Sequence, residues 1–269
     1  MTYSQAVVLG LVQGLTEFLP VSSSGHLILV PHVFGWPDQG LAFDAALHLG
    51  TLAALVAYFR GELTGIVFGN VSRRLGLLVL LATVPAGLAA LAFGKAIETN
   101  LRLPLLIATT TALWGIVMLI ADRRAAAPPA PMPGTPADPI ERVTWSQGLA
   151  VGFAQALALV PGTSRSGITI TTGLFTGLDR PTAARYSFLL GIPITAAAGL
   201  KKTFDLARGG LPTGEGGPLV VAILVSFASG WFAVWFLVTY LKRRSLLPFV
   251  IYRLVLAAVI VVFAFRTLA

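Results

Sequence analysis

Gln13-Gly14-Leu15-Thr16-Glu17-Phe18-Leu19-Pro20-Val21-Ser22-Ser23-Ser24-Gly25-His26 is the stretch that decides how this chain is read. It lies inside an apolar N-terminal region, yet it carries a carboxylate, an imidazole and three consecutive hydroxyls. Hydrocarbon tolerates such a cluster only where it is buried against protein or lines a polar cavity. A second stretch, Pro161-Gly162-Thr163-Ser164-Arg165-Ser166-Gly167-Ile168-Thr169, supplies the missing cation, Arg165. The rest of the chain reads as a scaffold that brings these two turns together.

Composition supports a membrane scaffold. Of 269 residues, 56% are hydrophobic and 11% charged, against about 25% charged in an ordinary soluble domain. The formal charge of +8 is spread in short clusters between apolar runs, such as Arg73-Arg74, Lys201-Lys202 and Lys242-Arg243-Arg244. Such clusters set membrane topology and give no reason to expect nucleic acid. With no cysteine, disulfides, thiol chemistry and Cys-based metal sites are excluded. The first residues lack a basic n-region and a cleavage site, so no removable signal peptide is expected.

From Gln5 to Leu19 an apolar helical pattern runs until Pro20 stops it. These residues reach roughly 22 Å at 1.5 Å per residue, short of a hydrocarbon core of about 30 Å. A turn rich in N-cap residues follows, and then a second short apolar piece from about Leu27 to Phe34. Two short helices about a polar turn predict a re-entrant hairpin over 5–35; one kinked transmembrane helix is the alternative. Spans are expected at about 42–59, 76–94 and 103–121. The segment 122–145 holds six prolines and no apolar periodicity, and reads as an exposed linker. The pattern then restarts, with a second hairpin at 146–177 and spans at about 182–200, 218–240 and 248–266.

Residues carry the repeat. Gly10 and Gln13 answer to Gly152 and Gln155 at an offset of 142, Pro20 to Pro161 with a one-residue slip, and Ser24-Gly25 to Ser166-Gly167 at 142 again. Leu49-Gly50 corresponds to Leu190-Gly191. Chance similarity among Gly/Leu-rich segments would not preserve the order of helix, proline, hydroxyl turn and spans. The expected fold is an all-α integral membrane protein with two repeats, 1–121 and 146–269, joined by the linker. A hairpin that returns to its own side followed by three crossings inverts the second repeat relative to the first, so the two turns approach from opposite faces. Loop charge then orients the molecule: nine basic residues (Arg60, Arg73, Arg74, Arg123, Arg124, Arg142, Lys242, Arg243, Arg244) fall on one side. Six (Lys95, Arg102, Lys201, Lys202, Arg208, Arg266) fall on the other. The first side is expected to be cytoplasmic.

Glu17 follows Gln13 by four residues, so both project from one helix face. An intramembrane carboxylate costs about 2.5–3.5 kcal/mol even on the lenient insertion scale. It is therefore a candidate base, metal ligand or ion-pair partner, a purely structural bridge to Arg165 being the plainer option. Gln13 on its own would be a helix-packing amide; beside Glu17 it joins the substrate-binding candidates. Ser22, Ser23 and Ser24 could simply cap the next helix, but next to Glu17 and His26 they resemble an activated nucleophile with donors beside it. His26 is either part of that chemistry or a satisfied buried histidine. Arg165, flanked by Thr163, Ser164, Ser166 and Gly167 at a helix start, forms an anion cradle from guanidinium, backbone N–H groups and the positive helix end. Asp44 and His48, spaced i,i+4, could support the site, pair on a metal or simply hydrogen-bond within the fold. Arg185 and Arg253 are candidate contacts to phosphate or lipid headgroups. The aromatic residues Trp36, Trp231, Trp235 and Tyr240 read as membrane-interface belt and packing.

With these residues in place, the chain resembles the bacterial undecaprenyl-diphosphate phosphatases, also called bacitracin-resistance proteins. The likeness covers nearly the whole chain. It rests on Gln13 to Glu17 running into Pro20-Val21-Ser22-Ser23-Ser24-Gly25-His26, and on Pro161 to Gly167. The resemblance implies catalytic positions at Glu17, Ser23, His26 and Arg165, with Ser164 and Thr169 supporting the phosphate site. It also implies a Mg2+ or Ca2+ requirement with Glu17 as metal ligand, an active site open to the external face of the bacterial cytoplasmic membrane, and a tendency to form homodimers. Gln13 stands where the family also carries Glu, which leaves one carboxylate in place of two. The activity implied is hydrolysis of undecaprenyl diphosphate, a lipid substrate, to the monophosphate. A lipid flippase or transporter built on the same inverted repeat is the alternative.

Overall fold

The computed structural model describes residues 1–36, 40–69, 73–101, 103–125, 136–209 and 216–268. The side chains of Ser24, Asp44, Lys201, Lys202, Arg208 and Arg266, the residue Arg102 and the linker residues 126–135 lie outside the described residues. Eleven α-helices account for most of the described chain. They are α1 (Tyr3–Phe18), α2 (Ser23–Val33), α3 (Gly40–Tyr58), α4 (Arg60–Phe68), α5 (Arg73–Asn100) and α6 (Pro104–Arg123). After the linker come α7 (Trp145–Gln155), α8 (Arg165–Phe175), α9 (Arg180–Gly209), α10 (Gly216–Tyr240) and α11 (Leu247–Leu268). No strand occurs among the described residues.

Local chemistry explains the helix ends. α1 opens with a capping box: Thr2 Oγ1 accepts from the Gln5 N–H while the Gln5 side chain accepts from the Thr2 N–H. α7 opens with the same device from Thr144 and Gln147, at the offset of 142 already seen. Each box satisfies two otherwise orphaned backbone donors. α6 carries Pro104 at its first position, where its missing N–H matters least. Pro31, Pro85 and Pro193 lie inside α2, α5 and α9, as membrane helices tolerate when neighbours satisfy the freed carbonyls.

Among the described residues four helices are long and apolar enough to cross a membrane: α5, α6, α10 and α11. The first expected span, about 42–59, is α3. It is followed at a 65° bend by α4 and counts as a fifth candidate only if this bent pair is one span. α9 covers the expected span at 182–200 but is not among those candidates. The reason is its position. α9 is packed by α3, α5 and α8, with Ala183, Ala184, Tyr186, Ser187, Phe188, Leu189 and Leu190 all buried. A helix surrounded by protein can use small and polar residues that a lipid-facing helix cannot. The lipid-facing pattern is clear on α5, where Leu77, Leu80, Leu81, Val84, Leu88 and Leu91 are exposed.

Close helix packing rests on small residues. Gly10 lies against α10, where an added Cβ would sit 2.6 Å from the Ala222 carbonyl, and Gly14 lies against Ser229. Gly148 and Gly152 hold α7 in the same way against Leu78 and Ala82 of α5. Both pairs follow the Gly-x-x-x-Gly spacing that lets membrane helices approach at backbone distance.

The linker is shorter than its proline content suggests. Asp122 is buried and paired with Arg180 at 2.6 Å. Ile140 and Val143 belong to the main core. Asp138 caps a short 3-10 helix at Pro139–Arg142 and pairs with Arg185 at 2.6 Å. Arg185 in turn reaches Glu62 at 2.9 Å, so on α9 it ties the linker end at Asp138 to α4. Paired charges and two apolar anchors hold these linker ends down, although their composition reads as loop. The second apolar piece also starts earlier than read, at Ser23 in place of about Leu27.

Candidate active site

Both polar turns place a serine of positive φ just before a helix. α1 ends at Phe18, the chain passes Leu19 and Pro20, and Ser22 takes φ of 74° before α2 begins at Ser23. In the second turn Gly162 takes φ of 87° and Ser164 takes φ of 68° before α8 begins at Arg165. Ser22 and Ser164 are the only non-glycine residues with positive φ among the described residues. Such conformations cost on the order of 1–3 kcal/mol each and persist where surrounding structure fixes them, often at functional sites. As a result Ser23 and Arg165 occupy equivalent places, each the first residue of its helix.

Glu17 is where the turns meet. Its Oε2 accepts from Gln13 Nε2 at 3.2 Å and from Ser23 Oγ at 3.0 Å. Its Oε1 pairs with Arg165 Nη2 at 3.4 Å, across 148 positions of chain. His48 Nε2 lies 3.6 Å from Oε2. The carboxylate is 9% exposed and the arginine 13%, so their attraction acts in a poorly screened environment.

Arg165 is positioned by α9. Its Nη1 donates to the Ser187 carbonyl at 3.2 Å, and its guanidinium lies over Gly191, where a Cβ would collide with Nη1. Its Nε has no partner. Thr169 Oγ1 donates to the Arg165 carbonyl at 2.7 Å and shares a hydrogen bond with Ser187 Oγ at 2.6 Å. That hydroxyl therefore braces the first turn of α8 against α9. Ser166 Oγ donates to the Leu19 carbonyl at 3.2 Å, a direct link between the two turns. Ser164 Oγ accepts from the Gly167 N–H at 3.2 Å as the helix cap. Thr163 Oγ1 is buried and has no partner.

His26 sits apart from this cluster. Its Nδ1 lies 2.7 Å from the Ser22 carbonyl and its Nε2 lies 2.6 Å from the Tyr252 hydroxyl. A carbonyl only accepts, so Nδ1 carries the proton and Nε2 accepts from Tyr252. Both nitrogens are thereby engaged away from Glu17 and Ser23. The ring stacks on Tyr252 with centroids 5.6 Å apart.

Arg253, a candidate headgroup contact by sequence, is fully buried and donates only to backbone carbonyls. His48 was legible through its i,i+4 spacing with Asp44. Ser187, Gly191 and Tyr252 were missed. Gly191 could have been found from the Gly191-Ile192-Pro193 run inside an apolar helix. Tyr252 could have been found from the Tyr252-Arg253 pair that interrupts an otherwise apolar helix.

Known proteins resemble this chain along almost its whole length. A model of the family described as bacitracin resistance protein BacA matches residues 6–259. Undecaprenyl-diphosphatase 2 of Stutzerimonas stutzeri is 46% identical over 272 residues, covering 97% of this chain and 98% of that protein. Undecaprenyl-diphosphatase of Hahella chejuensis is 45% identical over 275 residues, covering 98% and 99%. Undecaprenyl-diphosphatase of Moorella thermoacetica is 46% identical over 268 residues, covering 97% of both. With two turns meeting at Glu17 and likeness along almost its entire length, the chain belongs to the BacA bacitracin-resistance family.

Proposed function

We propose that this protein is an integral membrane phosphatase that hydrolyses undecaprenyl diphosphate to undecaprenyl phosphate and inorganic phosphate, returning the lipid carrier to cell-wall synthesis. The observation that carries the reading is the convergence of Ser23 Oγ, Glu17 and the Arg165 guanidinium at 3.0 and 3.4 Å from turns 148 positions apart. A hydroxyl hydrogen-bonded to a carboxylate is an activated nucleophile, and a guanidinium beside it is a phosphate clamp.

In this mechanism the terminal phosphate displaces part of the Arg165–Glu17 contact and binds between Arg165, the N–H groups at the start of α8 and the free Thr163 hydroxyl. Ser23 Oγ attacks the terminal phosphorus as Glu17 takes its proton, and the bridging P–O bond breaks to release undecaprenyl phosphate. Arg165 neutralises charge building on the equatorial oxygens. Glu17 passes the Ser23 proton to the departing undecaprenyl phosphate. Water then attacks the phosphoserine phosphorus as Glu17 takes its proton, the P–Oγ bond breaks, Glu17 returns the proton to Ser23 Oγ, and inorganic phosphate leaves. His26 holds the Ser22 carbonyl and so fixes the strained residue preceding the nucleophile.

A divalent cation fits the donors present only if the substrate completes its shell. Among the described residues no group of three His, Cys, Asp or Glu could hold an ion. However, Gln13 Oε1 is buried without a partner beside Glu17, and one carboxylate plus diphosphate oxygens is a usual Mg2+ arrangement. Glu17 and Gln13 would hold such an ion, which would supply charge neutralisation at the diphosphate.

The two repeats, 1–121 and 146–269, are read as inverted halves. α1 packs on α10 of the other half, and α7 packs on α5 of the first. In this reading the two hairpins enter from opposite ends, each beside the start of a long helix. Tyr3 at the start of α1 lies beside Gly217 at the start of α10, whereas Arg74 at the start of α5 donates to the Val143 carbonyl just before α7. The end that carries Arg74, Arg142, Arg180 and Arg185 is rich in arginine and is read as cytoplasmic. The first hairpin then opens to the external face of the cytoplasmic membrane, where the diphosphate substrate approaches.

The test is phosphate release by purified, detergent-solubilised protein given undecaprenyl diphosphate. Stoichiometric inorganic phosphate and undecaprenyl phosphate support the reading, and a protein that only translocates the lipid releases none. Acid quench under saturating substrate should trap a phosphoserine that Ser23→Ala abolishes; a burst-free reaction without this adduct would assign the attack to water.

A further inference from the structure

Among the described residues Arg253 is the largest fully buried side chain, and it faces no carboxylate there. Its guanidinium is satisfied by carbonyls alone. Nε donates to Thr111 O at 3.0 Å, Nη1 to Pro20 O at 3.4 Å, and Nη2 to Gly162 O at 3.0 Å and Thr163 O at 3.1 Å. Pro20 belongs to the turn that presents Ser22 and Ser23, and Gly162 and Thr163 belong to the turn that presents Ser164 and Arg165. Thr111 lies on α6, which packs on α11 where Arg253 resides.

We infer that Arg253 is a positioning residue for the phosphatase reaction, one that locks the two turns in register so that Ser23 and Arg165 meet at one phosphorus. The inference rests on the phosphatase reading above. Burying an arginine without a counter-ion is costly, and here the compensation comes only from carbonyl dipoles, which are distributed over both turns. The guanidinium has the geometry for this: five donors in a fixed planar fork reach separate acceptors, whereas an ammonium presents its donors from a single nitrogen. The turns are also tied by the Ser166 hydroxyl on the Leu19 carbonyl at 3.2 Å and by the Glu17–Arg165 pair at 3.4 Å, but neither of these reaches main-chain carbonyls of both turns as Arg253 does. Arg253 also lies close behind the start of α8, since a Cβ at Gly167 would sit 3.0 Å from Nη1. Its charge therefore stands behind the N–H groups that cradle the phosphate.

The test compares purified wild type with Arg253→Lys and Gly115→Ala, measuring kcat and KM for lipid diphosphate hydrolysis together with thermal unfolding. Arg253→Lys keeps the charge and loses the fork. Gly115→Ala keeps Arg253 and nudges its stem, because the new Cβ would sit 3.3 Å from Arg253 Cβ. Misplacement of reacting groups by about 1 Å is worth about 10²-fold in rate. Arg253→Lys should therefore lower kcat by about 10- to 100-fold with KM within about threefold, and Gly115→Ala should lower kcat several-fold at unchanged KM. Combined with Arg165→Lys, Arg253→Lys should cost far less than the product of the two single effects, as expected for residues acting through one geometry. The inference is overturned if folded Arg253→Lys keeps kcat within about threefold, if its effect is on KM alone, or if it multiplies with Arg165→Lys. If Arg253→Lys does not fold, Gly115→Ala decides: unchanged kcat overturns the inference. Failure of wild type to release phosphate would instead overturn the phosphatase reading.

Discussion

Gly191→Ala tests the position of Arg165 without touching a group that contacts substrate. The added Cβ would fall on the Arg165 guanidinium, with Cζ 2.8 Å away and Nη2 3.1 Å away. Ordinary van der Waals contact begins at 3.4 Å, so Cζ has to retreat by more than half an ångström, and Nη1 further. All the atoms in the way belong to the end of one flexible side chain, so α9 keeps its place and the guanidinium moves. It leaves the Ser187 carbonyl at 3.2 Å and Glu17 at 3.4 Å. Removing one such preorganised contact costs about 2.7–4 kcal/mol, or roughly 10²–10³ in turnover. Stability should change little, because alanine is favoured over glycine in a helix by up to about 1 kcal/mol, which offsets the displaced hydrogen bond. The assay is kcat for phosphate release beside thermal unfolding of the same preparation. A well-folded Gly191→Ala protein with wild-type turnover would refute the claim that Arg165 acts from its seat on Ser187 and Gly191.

Other substitutions separate the roles of the turns. Arg165→Lys should cost about 10²–10³ in turnover, since an ammonium loses the bidentate fork, and near-normal turnover in folded protein would remove the phosphate-clamp assignment. Glu17→Gln should be comparably damaging in the same phosphate-release assay, because the Ser23 hydroxyl loses its proton acceptor. Gln155 is 2% exposed with both amide atoms unpaired, so Gln155→Leu should leave turnover intact and hold or raise the melting temperature; a clear drop in melting temperature would mean that the amide has a partner. Asp138 responds to acid. Burial alone would push its carboxyl up, but the hydrogen bonds and charge of Arg185, helped by the Ile140 N–H and Arg142, hold it below the ordinary carboxylate value. Its folded-state pKa is thus depressed, so its contribution is present above the unfolded value near 4 and fades as pH falls through the folded one. Asp138→Asn should accordingly flatten the loss of thermal stability in that acid range, and an unaltered pH profile would argue against the Arg185 pair.

The two halves of the site were legible to different degrees. Glu17, Ser23 and Arg165 stood out because polar side chains inside apolar runs carry a large transfer cost, and any fold that contains them has to compensate for it. The hairpin helices were equally open; the capping boxes of α1 and α7 were not read, although Thr and Gln at a fixed spacing carry that signal. Two other features had no such signature. Arg253 bonds to main-chain carbonyls, which every residue possesses, so nothing in the sequence names its partners. His26 meets Tyr252 across 226 positions of chain, and a tyrosine in an apolar helix reads as packing until the helix is placed. The expected span at 182–200 is α9, which falls outside the lipid-crossing candidates because α3, α5 and α8 pack on it and allow small and polar residues.

The distribution of chemistry between the turns follows from this architecture. Ser22 and Ser164 share a strained backbone and each precedes a helix, so either turn could present a side chain and an N–H-lined helix start to an anion. What differs is the residue placed there. Leu159 stands where the first half has Glu17, and Ile168 where it has His26. The second turn has no proton acceptor for a nucleophile, while the first has no guanidinium at its helix start. Neither turn alone combines nucleophile, base and clamp. The Glu17–Arg165 pair joins them, and it allows one active site for two similar turns. Moving the pair by a reciprocal exchange, Glu17→Leu with Leu159→Glu, should therefore leave no activity, since the carboxylate would lie on the turn without Ser23. Measurable phosphate release from that folded double variant would show that the second turn can serve as an active site by itself.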